Sequence, residues 1–133
     1  MARKQKPSTP EVSFTRTVDF VSRYANNIRV EPYATDLKVL FGQSTQEPGK
    51  EVIEQHTAIT LSWAQVKLAI YYLQVQLVVY EMQTGRPVMI HPVLMPAPFP
   101  EKVPDEAAND PHAEETMKRL RELREQFILE SNR

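Results

Sequence analysis

The chain has 133 residues, a formal net charge of −1 at pH 7 and no cysteine. This length fits one domain with extensions. The near-neutral charge argues against a protein built to bind a nucleic-acid backbone, and the lack of cysteine excludes disulfides and thiol chemistry. Because no apolar signal-like stretch follows the start, we expect a cytoplasmic protein.

Two segments precede the first regular pattern. Residues 1–11 form a polar, basic and proline-broken arm, which is typical of a flexible tail. Residues 12–21 carry large apolar side chains at irregular spacing, and they could add an edge strand. We take residues 12–86 as the core domain, beginning with this segment.

A β-hairpin is predicted next. Ile28 and Val30 alternate with charged neighbours, the period of a half-buried strand, and Pro32 ends it. A second strand with the same alternation ends at Gly42. The alternation predicts that the two strands pair in antiparallel fashion, joined by a short turn.

The third strand completes a meander. A polar loop is predicted from Gln43 to Lys50 around the turn pair Pro48-Gly49. Val52 to Leu61 then alternates again and runs straight into a helix. The order β-β-β-α predicts an α+β fold, with a three- or four-stranded antiparallel meander packed on one long helix.

The long helix extends from Ser62 to Gly85. Ser62 and Gln65 form an S-x-x-Q capping box, Gly85 can end the helix with a positive φ, and Pro87 prevents its resumption. Two charges and four glutamines interrupt the span, so we expect no membrane-spanning segment here.

The apolar residues of this helix form two stripes on opposite sides, whereas an ordinary surface helix has one. Such a helix needs two partners: its own sheet, and either the C-terminal helix or the same helix of a second chain. We therefore predict a homodimer or higher oligomer, with Lys67 of one chain facing Glu81 of an antiparallel copy. The first stripe begins at Ala64, and we assign self-association to its members Leu68, Tyr71, Val75, Val78 and Met82, together with Lys67 and Glu81. The second stripe comprises Val66, Ile70, Leu73, Leu77 and Tyr80.

A proline-rich strap follows at residues 87–109. Its prolines remove too many backbone donors for a central strand, yet the segment is apolar, so we expect it to lie on its own domain or on a partner. The candidate contacts are Val93, Leu94, Met95 and Phe99.

Residues 110–133 are predicted to form a charged amphipathic helix opened by Asp110 as N-cap and Pro111 at the first position. This helix either docks on its own domain or pairs in an oligomer. Its candidate contact residues are Leu120, Leu123 and Phe127.

Several short motifs lie between residues 18 and 87. They are Tyr24-Ala25-Asn26, Asp36, Phe41-Gly42, His56-Thr57, Leu61-Ser62, Lys67, Tyr80-Glu81 and Gly85. Together they resemble a small bacterial and archaeal family of domains of unknown function (DUF 3467). The chain departs from that family at Ser62-Trp63, where Ser-Pro is usual, and at Val66-Lys67, where Ala-Lys is usual. The resemblance implies no activity, because none is assigned to the family.

No pattern of catalytic or ligand-binding residues emerges. The three histidines, His56, His91 and His112, are far apart and have no cysteine beside them, unlike a metal site. Three glycines cannot supply a phosphate-binding loop. We expect no enzymatic activity, no metal and no cofactor.

Binding functions therefore come first. The leading hypothesis is an oligomeric adaptor subunit of a bacterial assembly, with the strap and C-terminal helix contacting another protein. The alternative is a chaperone for extended polypeptides, because a small antiparallel sheet backed by a long helix is similar in outline to bacterial export chaperones of the SecB type. The third is a single-stranded nucleic-acid binder. Its candidate residues are Arg16, Arg23, Arg29 and Lys38, near Tyr24 and Tyr33.

Overall fold

Three antiparallel strands and two helices make up the structure. The computed structural model describes residue 4 and residues 6–131. The predicted α+β class and antiparallel meander are confirmed, with three strands in the described part of the chain. Of the predicted arm and C-terminal helix, residues 1–3, 5 and 132–133 lie outside the described residues. The elements are β1 (Asn27–Pro32), β2 (Asp36–Glu47), β3 (Lys50–Ser62), α1 (Trp63–Thr84) and α2 (Ala113–Ser131).

The chain divides into two units after Val66, in the first turns of α1, whereas the sequence places the end of the core domain at residue 86. The first unit contains the sheet and the start of α1. The second contains the rest of α1, the strap and α2.

The strand register follows the predicted alternation around the β1–β2 turn. Ile28 pairs with Phe41 and Val30 pairs with Val39, so the apolar residues of the two strands share a face. The Tyr33 N–H donates to the Asp36 carbonyl at 2.9 Å and closes the turn. The helix start is tied to the same turn, since the Trp63 indole N–H donates to the Tyr33 carbonyl at 3.1 Å.

The prediction of a polar loop at Gln43–Lys50 is wrong. Strands β2 and β3 continue through this stretch, and only Pro48 and Gly49 lie outside the paired strands. Gly49 has φ +75°, and Pro followed by such a glycine matches a type II turn. Glu47 and Lys50 flank the turn with a 3.3 Å ion pair. This stretch has few apolar side chains, so alternation could not reveal a strand that the ladder and the turn hold in place.

The predicted end of the second strand at Gly42 is also wrong. Gly42 lies inside β2, is buried, and sits where the register shifts by one residue in a β-bulge. A Cβ at this position would lie 2.7 Å from the Glu54 carbonyl oxygen and 3.1 Å from the Gln55 Cα. Glycine is therefore required here by the close approach of the backbone of β3.

Residues 12–21 do not form the edge strand that the sequence allows. They have no strand or helix, and all ten are exposed. Phe14 and Val18 are almost fully accessible. Val12, Phe14, Val18 and Phe20 all lie at even positions and would share one face of a strand, so their spacing alone does not produce a strand here.

Helix α1 has the predicted bounds and both predicted caps. The Ser62 hydroxyl accepts from the Gln65 N–H at 3.2 Å. At the other end Gly85 has φ +71°, and its N–H donates to the Glu81 carbonyl at 3.0 Å. No residue of α1 is buried within a single chain, whereas the sequence analysis expects its own sheet to cover one of its two apolar stripes.

Part of the strap lies on α2 of the same chain. Arg121 donates to the carbonyls of Pro100 at 3.3 Å and Glu101 at 2.8 Å, and Arg124 donates to the Pro96 carbonyl at 3.1 Å. Prolines leave neighbouring carbonyls without ladder partners, and the two guanidinium groups supply donors for them. For this part of the strap, the structure supports the intramolecular alternative.

Helix α2 begins at Ala113, three residues after the predicted N-cap. The Asp110 carboxylate instead accepts from the His112 N–H at 2.9 Å, and so closes a turn just before the helix. Within the helix the Arg119 guanidinium lies 2.9 Å from the Glu115 carboxylate, and this guanidinium lowers the pKa of the Glu115 carboxyl.

We predict that Gly42→Ala lowers the free energy of unfolding by about 1–3 kcal/mol, because the added methyl forces the backbones of β2 and β3 apart. Urea denaturation followed by circular dichroism measures the change. The matched control is Gly49→Asn, where nothing lies within 4 Å and asparagine tolerates a positive φ. Equal effects at the two positions would contradict the close-approach explanation.

Candidate functional site: the uncovered apolar surfaces

Both stripes of α1 are accessible to solvent along almost their whole length. In the first stripe Met82 is 79% exposed and Val78 is 59% exposed; in the second, Leu73 is 70% exposed. Only Val66 at the helix start is half-buried among the large residues of the two stripes. The structure therefore places the predicted self-association residues on a surface that their own chain does not cover.

The first stripe is wider than predicted. Tyr72 and Val79, seven residues apart on the helix, are exposed beside it. The Tyr71 and Tyr72 rings meet edge-on, with centroids 5.7 Å apart. The spacing of three and four residues that defines each stripe does not include Tyr72 and Val79. Plotting all apolar positions around the helix would have included them.

The accessible area of the chain shows how much surface is uncovered. The chain exposes 12711 Å², whereas two separate compact bodies of half its mass would together expose about 8,700 Å². The excess of roughly 4,000 Å² is larger than the area an obligate interface takes from each partner, roughly 1,000–2,500 Å². Part of this excess belongs to the irregular residues 6–26.

The charged residues of α1 have different roles. Glu81 is half-buried, and its carboxylate accepts from the Val88 N–H at 2.8 Å, so it fixes the exit of the chain from the helix. Lys67 is exposed. The pairing of Lys67 with Glu81 of a second copy stays a prediction, and Glu81 would have to serve both contacts.

The strap and α2 carry the remaining predicted contacts. In the strap, Val93 and Leu94 are strongly exposed and Phe99 is 38% exposed. Met95 is half-buried. In α2, Leu123 is 65% exposed while Leu120 is half-buried. The predicted sets therefore split between residues that pack within the chain and residues that remain outside. The exposed members are Val93, Leu94, Phe99, Leu123 and Phe127.

The sheet has an apolar face that the sequence analysis did not single out. The register of the three strands brings nine side chains, eight of them apolar, to the same side. Ile28 and Val30 on β1 and Ile59 on β3 are exposed, and the central strand is half-buried. The apolar sheet face comprises Ile28, Val30, Pro32, Leu37, Val39, Phe41, Thr57, Ile59 and Leu61.

Residues from three of the sequence motifs meet at the bulge. The His56 ring lies with Nε2 3.0 Å from the Tyr24 carbonyl oxygen and Nδ1 2.7 Å from the Thr57 hydroxyl. Because a carbonyl only accepts, the neutral ring donates from Nε2, and Nδ1 accepts from Thr57. The Asn26 amide bonds to both the N–H and the carbonyl of Ser44. The cluster joins the start of β1 to β2 and β3.

A groove between the strap and α2 has a volume of about 550 Å³. Ligand pockets of this size are usually apolar with a few polar groups. Charged side chains of both signs line most of this groove, so it selects no particular ligand charge. Its lining residues are Glu101, Lys102, Val103, Glu114, Glu115, Lys118 and Arg121.

The bases proposed for nucleic-acid binding make local contacts. The Arg16 guanidinium lies 4.7 Å from the centre of the Phe20 ring, and the Lys38 ammonium lies 5.7 Å from that of Tyr33. Glu31 stands opposite Lys38 in the register and accepts from the Tyr33 hydroxyl at 3.1 Å. The patch on β1 and β2 is thus mixed in charge rather than basic.

Within residues 6–131, no three histidine or acidic side chains are grouped so that they could hold a metal ion. In the same part of the chain, no helix has the length and apolarity needed to cross a membrane. Comparison with known proteins gives no match to any family model, any curated protein or any solved structure. The uncovered apolar surfaces are the features on which a functional proposal can rest.

We predict that His56→Ala lowers the free energy of unfolding by about 0.5–1.5 kcal/mol, because it removes the hydrogen bond that joins β3 to the Tyr24 carbonyl at the bulge. The measurement is urea denaturation at pH 7.5. His91→Ala is the control, since His91 accepts a single exposed bond from the Val93 N–H at 3.2 Å. If His91→Ala lowered the free energy of unfolding more than His56→Ala does, the His56 bonds at the bulge would not be an important source of stability.

Proposed function

We propose that this protein is a non-enzymatic, homo-oligomeric interaction subunit that associates through α1 and binds a further protein. The observation that carries the proposal is that α1 is apolar on two opposite sides and has no buried residue. Most of the stability of a helix in a protein comes from packing of its apolar surface rather than from helix propensity. A second copy would supply the apolar surface that stabilises it.

A second copy is the partner that the surface fits best. The first stripe is a long, regular surface that an antiparallel copy of itself can match, and Lys67 and Glu81 stand near its two ends. The excess area is more than a permanent interface takes from each partner, so it leaves room for a second copy and for a further protein. The exposed strap and α2 residues, Val93, Leu94, Leu123 and Phe127, are left for a different protein.

We predict that Val78→Glu weakens self-association by at least about 100-fold, because a carboxylate would be buried without a partner. Multi-angle light scattering across a dilution series gives the mass of the species. Gln76→Glu adds the same charge on the polar side of the helix and should leave the mass unchanged. Circular dichroism of both variants confirms that α1 still forms.

Leu73→Glu applies the same test to the second stripe. Loss of assembly in both Val78→Glu and Leu73→Glu indicates that both stripes are covered by other copies or by elements that the assembly brings together. A wild-type protein that stays at the monomer mass of 15.4 kDa at tens of micromolar would contradict the proposal.

The second candidate, a chaperone for extended polypeptides, is favoured by the apolar sheet face. Reduced and carboxymethylated α-lactalbumin, which stays unfolded, separates the two. An adaptor should not bind it, whereas a chaperone should bind it with micromolar affinity and lose that binding in Val30→Glu. Binding that the variant abolishes would replace the adaptor proposal with the chaperone.

A further inference from the structure

The two edges of the sheet differ in how they are protected. The β1 edge is six residues long, ends in Pro32 and carries Arg29 and Glu31, all devices that discourage pairing with another strand. The β3 edge is 13 residues long. Its stretch Thr57–Leu61 contains no charge and no proline.

The direction of the backbone groups follows from the contacts on the other side of β2. The Asp36 and Gly42 carbonyls accept from the β1 side of the sheet, from the N–H groups of Tyr33 and Asn26. The N–H and carbonyl groups of alternate residues face the same side of a strand. Val39 is an odd number of residues from both Asp36 and Gly42, so its backbone groups face β3. The backbone groups of its partner Ile59 therefore face β2.

The same alternation defines the free side of β3. Ala58 and Thr60 direct their N–H and carbonyl groups away from β2, and both residues are exposed. Among the described residues, no strand pairs with this side. A flat row of unpaired donors and acceptors is a template for another strand.

We propose that this edge pairs in antiparallel fashion with the same edge of a second copy, with the two-fold axis at Ile59. The uninterrupted stretch is bounded by the bulge, where His56 is the extra residue of β3, and by the start of α1 at Trp63. Centring on Ile59 uses all of it and places Thr57 opposite Leu61 of the second copy. The result is a continuous six-stranded sheet.

Charge and side-chain pattern select this register. A register centred on Glu54 would place two carboxylates opposite each other, which is destabilising. Centring on Ile59 leaves Lys50, Glu51 and Glu54 outside the paired stretch. It also continues the apolar sheet face across the axis, because Thr57, Ile59 and Leu61 belong to that face in each copy.

The inference rests on the self-association proposed above, and engineered cysteines test it cleanly because the chain has none. Ile59 would face its own copy in a non-hydrogen-bonded pair, with Cα atoms about 4.5 Å apart, a separation that a disulfide can bridge. Ile59→Cys should therefore form a covalent dimer under mild oxidation. At micromolar protein this should be about 100-fold faster than in the control Ile28→Cys, which crosslinks only by collision.

The register has its own test. Thr57→Cys and Leu61→Cys should each crosslink slowly alone, and rapidly when the two variants are unfolded together, refolded as a mixture and oxidised. This pair also guards against an Ile59→Cys variant that folds poorly.

The outcomes separate the two proposals. A wild-type monomer in light scattering overturns both. A wild-type oligomer in which neither Ile59→Cys nor the Thr57/Leu61 mixture links faster than Ile28→Cys overturns only the β3 edge. That second result is also expected if the edge instead receives an extended segment of another protein.

Discussion

The apolar surface of helix α1 is left uncovered within one chain, and the interpretation of the rest of the structure depends on this feature. A helix with one stripe would be satisfied by one neighbour. Here two opposite stripes are exposed together, and Tyr72 and Val79 widen the first. Since helices gain most of their stability from packing rather than from propensity, the proposed association would also stabilise α1.

The local signals for α1 were strong enough to fix its ends from the sequence. Ser62 with Gln65 and Gly85 act through bonds that span three or four residues, so the sequence alone contains them. The alternation of Ile28 and Val30 is equally local, and it placed β1 correctly. In both cases the physical cause lies within one turn or one strand.

The parts that failed depend on residues far apart in the chain. Gly42 reads as a strand end, yet it is inside a strand because the Glu54 carbonyl comes within 2.7 Å of where its Cβ would be. Arg121 and Arg124 read as ordinary surface charges, yet they hold strap carbonyls 20–28 residues away. Such contacts have no periodic signature, and the apolar sheet face likewise emerges only once the register is known.

The described side chains divide into two groups with different implications for function. Polar groups that could perform chemistry are engaged locally: His56 bonds to Tyr24 and Thr57, Glu81 bonds to Val88, and Arg121 and Arg124 bond to the strap. The largest uncovered apolar groups lie on α1 and, separately, on the apolar sheet face. These open apolar surfaces are what the proposal of an interaction subunit rests on.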